Sequence, residues 1–214
     1  MNIEHIRPAD IEKHSMEIIT SEIGDISRFS EAEQKIVLRT VHTTADFDYA
    51  ESLTFSPDAV SSALAALKDG AVIVTDTNMT LAGISKPSLR KLGCEAVCFN
   101  ADEDVIAYSK EHGVTRAVGA VNKAAEMYRE RKVIYSVGNA PTALIRIHEL
   151  INEGSLTPAL VIGVPVGFVN VMTSKELIMQ DSVPYIVARG RKGGSTVSAA
   201  ICNALLYMLC KRDT

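Results

Sequence analysis

The 214-residue chain has no tryptophan, and aromatic residues make up only 5% of it. Proteins that hold single-stranded nucleic acid need several exposed rings for stacking, so that class of partner is disfavoured. No basic stripe compensates. The 22 Lys and Arg against 26 Asp and Glu leave a net charge of −4, which speaks against a phosphate-backbone surface. No run of 18 apolar residues occurs, so no transmembrane helix is expected. A secretory leader, with its basic flank, apolar stretch and small-residue cleavage site, is also missing, and the expected location is the cytoplasm. The four cysteines, Cys94, Cys98, Cys202 and Cys210, form no CxxC pair, and no close-spaced Cys/His set suits a zinc ion. They are expected to be reduced, mostly buried thiols.

What is present is a core-forming composition, 47% apolar, in a chain long enough for one sizeable domain, taken as residues 1–214. Short apolar runs rich in β-branched residues recur at 71–75, 95–99, 132–137, 159–164 and 184–188. They are nearly continuous rather than alternating, as in strands covered on both faces. Helical patterns lie between and after them, at about 101–112, 116–131, 141–153, 173–180 and 195–211. This alternation predicts a three-layer α/β/α fold with a mostly parallel five-stranded sheet. The first 70 residues read as an α-helical region laid against that sheet. Ser30 and Glu33 have the spacing of a capping box, and a helix follows with Ile36, Val37, Thr40 and Val41 on one face. A second helix is expected over 57–69, with Ser56 as N-cap, Pro57 as its first residue and Gly70 at its close.

Ligands of open parallel sheets bind beyond the carboxyl ends of the strands. The segments there are Thr75–Met79, Gly138–Thr142, Gly163–Gly167 and Arg189–Thr196, all rich in glycine and small polar residues. In the last, Arg191, Lys192, Gly193 and Gly194 precede a helix expected from Ser195, a natural place for an anion. The spacing is not that of a Walker A loop, and no G-x-G-x-x-G follows the first strand, so a dinucleotide is disfavoured. Asn139 and Pro141 open a similar strand-to-helix turn. Asp76 lacks a second carboxylate nearby and reads as a loop brace in preference to a Mg²⁺ ligand. A glycine-rich turn with solvated basic residues remains the plainer alternative for 190–196.

Among the histidines, His5, His14, His112 and His148 stand alone and read as structural or solvated. His42 has company in RTVHTTADFDYA: Arg39 one turn earlier, then Thr43, Thr44, Asp46 and Asp48. An imidazole is the usual proton donor or acceptor near neutral pH. A helix-terminal histidine that merely faces the last carbonyls is the bland alternative.

Taken together, the segments IRPADIEKHSMEII, RTVHTTADFDY, IVTDTNM, GNAPTAL, GVPVGFV and ARGRKGGSTVSAAICNALL resemble the precorrin-8X methylmutase family, in particular its cobalt-precorrin-8 branch in anaerobic cobalamin biosynthesis. They run from end to end of the chain. The resemblance implies a three-layer α/β homodimer, an isomerase that moves a methyl group from carbon 11 to carbon 12 of a corrinoid, giving hydrogenobyrinic or cobyrinic acid. It implies no cofactor and no protein-held metal, since any cobalt arrives in the substrate. The histidine of its RxxH motif, the proton donor and acceptor, falls on His42. The substrate-contacting arginine of that motif falls on Arg39, and the serine of the IExxS motif falls on Ser15. Thr43, Thr77, Asn139, Arg191, Lys192, Gly193, Gly194 and Ser195 complete the expected substrate contacts, because a polyanionic macrocycle needs amide donors and local cations. The chain departs from the family after GVPVGFV, where Asn170-Val171-Met172-Thr173 replaces small residues and an acid. A non-catalytic corrinoid carrier on the same scaffold is the alternative function.

Overall fold

The computed structural model describes residues 6–210, so His5 and the expected last residue of the final helix, Lys211, lie outside the described residues. Its sheet has six strands: β1 (Leu53–Phe55), β2 (Val72–Thr75), β3 (Glu95–Val97), β4 (Val133–Val137), β5 (Leu160–Gly163) and β6 (Tyr185–Ala188), in the order β1-β6-β5-β4-β2-β3. The five expected strands are all found and are mutually parallel. The sixth, β1, corrects the reading of the N-terminal region as wholly helical: it pairs antiparallel with β6, Thr54 facing Val187. Three residues are too few to show a period against the surrounding helical pattern.

The helices are α1 (Ile11–Glu22), α2 (Glu31–Thr44), α3 (Tyr49–Ser52), α4 (Ala59–Lys68), α5 (Asn78–Gly83), α6 (Lys86–Leu92), α7 (Glu103–His112), α8 (Arg116–Met127), α9 (Pro141–Asn152), α10 (Val171–Gln180) and α11 (Ser195–Leu209). Successive strand residues point to opposite faces, and this divides the core in two. Leu160 and Ile162 pack with α2, α4 and α11, which contribute Ile36, Val37, Leu67, Ile201 and Leu205. Val161 between them faces the other way, toward α7–α10 with Val105, Val121, Leu144 and Ile178. Burying strands on both faces is what their near-continuous apolar runs require. Helix α11 buries Val197, Ile201, Leu205 and Leu206 against the sheet and α2.

Helix α4 begins at Ala59, two residues later than expected, with Asp58 and not Ser56 at its N-cap. Ser56 extends β1 instead: its amide donates to the Tyr185 carbonyl (3.0 Å) and its hydroxyl accepts from the Tyr185 amide (3.1 Å). Its side chain is thereby committed to the sheet. Of the cysteines, Cys202 is buried and its thiol is pushed up to about 12 by burial, whereas Cys94, Cys98 and Cys210 are partly exposed.

The chain runs from β2 to β3 on one side, then crosses back to place β4 on the other side of β2. The order of travel therefore reverses between β2 and β4, and the crevice beyond their carboxyl ends is where a doubly wound sheet usually takes a ligand.

Candidate active site

Helix α2 is fixed at its start by the expected capping box, with the Glu33 amide donating to Ser30 Oγ and the Ser30 amide to Glu33 Oε2. Ile36, Val37, Thr40 and Val41 are buried, so the α2 face carrying Arg39, His42 and Thr43 is turned from the core toward the edge of the molecule. The helix stops after Thr44, where Ala45 adopts a left-handed conformation (φ 52°) and its amide closes on the Val41 carbonyl. His42 thus sits in the last turn and is half-buried.

It opens onto a cleft of about 490 Å³ between α1, α2 and α11, whose walls include Glu12, Arg39, His42, Thr43, Asn203 and Tyr207. Arg39 Nη1 lies 2.7 Å from Glu12 Oε1, and its guanidinium stands 5.7 Å over the Tyr207 ring. Asn203 is anchored through both ends of its amide, to the Gly83 carbonyl and the Ser85 amide, each at 2.8 Å. No hydrogen bond to a described residue holds the His42 ring, so the imidazole is free to meet a ligand.

A second cluster lies at the carboxyl ends of β2, β4 and β6. Asp76 is 5% exposed and accepts the amides of Gly138 (2.9 Å), Asn139 (2.7 Å) and Ala140 (2.6 Å). Burial raises its pKa, and the three amide donors oppose that rise. It is the brace expected from sequence, and it fills the N-terminus of α9, leaving no amide of the 138–140 turn for a ligand. The Asn139 side chain itself is exposed at the rim. Thr77 caps α5 and shares a 2.8 Å hydroxyl contact with Ser195. A side chain at Gly193 would collide with the Val164 carbonyl, and one at Gly138 would meet Ser195 Cα at 2.8 Å, so both glycines serve close backbone approach. Gly194 donates to the Val164 carbonyl at 2.9 Å.

The two basic residues of this loop have different surroundings. Lys192 is ion-paired with Asp46 and Asp48, both at 2.6 Å, and these hydrogen bonds raise its pKa. It is a strut between the α11 loop and the segment after α2, and its charge is already matched. Arg191 is exposed, its guanidinium 5.5 Å over the Phe168 ring.

The structure therefore gathers Arg39, His42 and Thr43 in one cleft, and Thr77, Gly193, Gly194 and Ser195 in one loop cluster, with α11 running from the second group to the first. Ser15 is one turn beyond Glu12 on α1; its hydroxyl donates to the Ile11 carbonyl (2.9 Å), and it is not part of the cleft wall. Sequence reasoning missed Glu12, Asn203 and Tyr207. The last two stand with Ala200 at spacings of three and four on α11, a helical face that a closer reading of that segment would have found. The other described histidines are held elsewhere: His148 by Asp181 (2.8 Å), His112 by the Tyr108 carbonyl (2.9 Å), and His14 beside Glu17. Among the described residues no group of three or more His, Cys, Asp or Glu side chains suits a metal ion.

The precorrin-8X methylmutase family model matches residues 10–208. The chain belongs to the precorrin-8X methylmutase family. Cobalt-precorrin-8 methylmutase of Leptospira interrogans is 44% identical over 209 residues, 95% of this chain and 94% of that one. The Salmonella typhimurium protein of the same name is 42% identical over 207 residues, covering 95% and 96%. The crystal structure of precorrin-8X methyl mutase from Thermus thermophilus superposes with a TM-score of 0.86 at 41% identity, over 93% of this chain and 96% of that one. The methylmutase fold therefore extends along nearly the whole chain.

Proposed function

We propose that the protein is an isomerase of cobalamin biosynthesis that moves a methyl group from carbon 11 to carbon 12 of precorrin-8X or its cobalt form. The observation that carries the reading is the half-buried His42 imidazole, unheld by other described side chains, beside Arg39 in one open cleft. Membership of a methylmutase family matched over residues 10–208 supplies the substrate class. In this mechanism His42 donates a proton to the conjugated ring, the double bonds shift as the methyl group leaves carbon 11 for carbon 12, and the imidazole recovers a proton. Atoms and electrons balance within the substrate, so neither an external nucleophile nor a cofactor is required. Such acid–base help is worth about 10²–10⁴-fold. Arg39 holds a side-chain carboxylate of the substrate in exchange for Glu12, and Arg191 meets another at the loop rim.

The functional unit in this reading is a homodimer. Phe168 and Val169 are 83% and 79% exposed and, with Met172, form an apolar edge beside the loop cluster. A cleft of about 490 Å³ embraces only part of a macrocycle fringed with acid chains, and a second copy supplies the remaining wall. The cytoplasm is the matching compartment, and among the described residues no helix is long and apolar enough to cross a membrane.

The test incubates wild type and His42→Ala with precorrin-8X and with its cobalt form, and follows methyl migration by the visible spectrum. Conversion by wild type together with binding but no conversion by His42→Ala is the expected result. Binding without conversion by wild type would leave a carrier instead of an enzyme.

A further inference from the structure

Lys175, on α10, takes no part in the chemistry above, yet it is fully buried, with 0% of its surface exposed. Its ammonium donates to the carbonyls of Gly190 (2.8 Å) and Lys192 (2.9 Å), and no carboxylate of a described residue lies within ion-pair distance. Burying an unpaired cation is costly, and an apolar side chain of equal length would pack there without that cost. Only a charged or strongly polar donor, however, can grip two carbonyls at once. Those carbonyls flank Arg191, and the Lys192 side chain reaches on to Asp46 and Asp48, four and six residues beyond His42. A continuous run of contacts thus joins α10, the 190–194 loop and the end of α2.

We propose that Lys175 is a positioning residue for the methyl migration: by clamping the Gly190 and Lys192 carbonyls from below, it sets where Arg191 presents its guanidinium and where Lys192 braces the end of the His42 helix. The proposal rests on the corrinoid reading above. Lys175 does not touch substrate; it acts through the two residues whose backbone it holds.

The experiment compares Lys175→Met, of similar length, with wild type for corrinoid affinity, KM, single-turnover rate at saturation and thermal unfolding. Loss of the clamp is expected to raise KM and Kd about 10- to 100-fold, while the saturated single-turnover rate stays within about 3-fold. In an Arg191→Ala/Lys192→Ala background the further substitution is expected to weaken binding by less than about 2-fold, because the groups it positions are gone. Unchanged affinity in Lys175→Met, or full additivity in the triple variant, overturns the proposal. Should Lys175→Met fail to fold, Lys175→Leu, which likewise has no donor, is put through the same comparison, and failure of both to fold also overturns it, since the residue would then be a stability element. Conversion by wild type, and its loss in His42→Ala, are scored with Lys175 intact, so failure of the isomerase reading is seen separately from failure of this one.

Discussion

Asp76 and Lys175 are two charged side chains removed from water and answered in different ways. Asp76 has three amide donors on its two oxygens. Asp76→Ala would leave those donors buried and unpaired and is expected to lose about 3 kcal/mol, read from the denaturant midpoint; a loss below about 1 kcal/mol would mean the turn had found other partners. Lys175 has only carbonyls, and burial lowers its pKa from 10.5 to about 8. Below about pH 8 the amine is charged in both folded and unfolded chains, and the fold bears the desolvation cost. Between about pH 8 and 10.5 the unfolded chain holds more protons, so stability rises with pH over that window. Unfolding series at pH 7.5 and 10 should show wild type gaining on the order of 2–3 kcal/mol relative to Lys175→Met. A gap that does not move would place the proton release elsewhere.

At the scale of elements, the loop cluster beside the cleft is built by stitching the loops after β5 and β6. Gly193 (φ 156°) and Gly194 (φ 132°) both lie outside the range that side chains favour, but only at Gly193 does a Cβ meet backbone, whereas at Gly194 the nearest atom is 4.0 Å away. Gly193→Ala is therefore expected to lower both the unfolding temperature and corrinoid binding more than Gly194→Ala does, and equal losses would show that backbone conformation alone governs the loop. The parallel strands and the start of α2 were legible in the sequence because their signals are local: apolar runs, a capping box, Arg39 and His42 one turn apart. The strand β1 was not, since three residues carry no period and Ser56 obeys a partner more than 120 residues away. The role of Lys192 was equally hidden. Its basic side chain in a glycine-rich turn reads as an anion site until Asp46 and Asp48, 146 and 144 residues earlier, are brought against it. Lys175, inside a helix with an ordinary polar pattern, gave no sign that it is buried.

For the whole molecule, a net charge of −4 has to be reconciled with the polyanionic corrinoid proposed as substrate. Arg39 and Lys192 are paired with acids, so in the proposed reading attraction is confined to short range, where a substrate carboxylate would replace Glu12 or meet Arg191 directly. The exposed apolar side chains of Phe168 and Val169 are the complementary feature, and the proposed second copy would cover them. Phe168→Asp is expected to shift sedimentation toward the monomer and to weaken corrinoid binding in parallel. Monomeric wild type with full activity would remove the second copy from the site.

The sealed turn at Asp76 bears on where this fold can evolve a ligand site. The crevice at the strand-order reversal is the common socket of doubly wound proteins, yet here it is already plugged by the chain's own carboxylate, and the cleft proposed for the reaction lies on the flank of α2 and α11. A plug can be pulled. In Asp76→Ala the vacated socket would retain its three inward-pointing amides, and formate in the buffer should reseat there and restore part of the lost melting temperature, leaving wild type indifferent to the same salt.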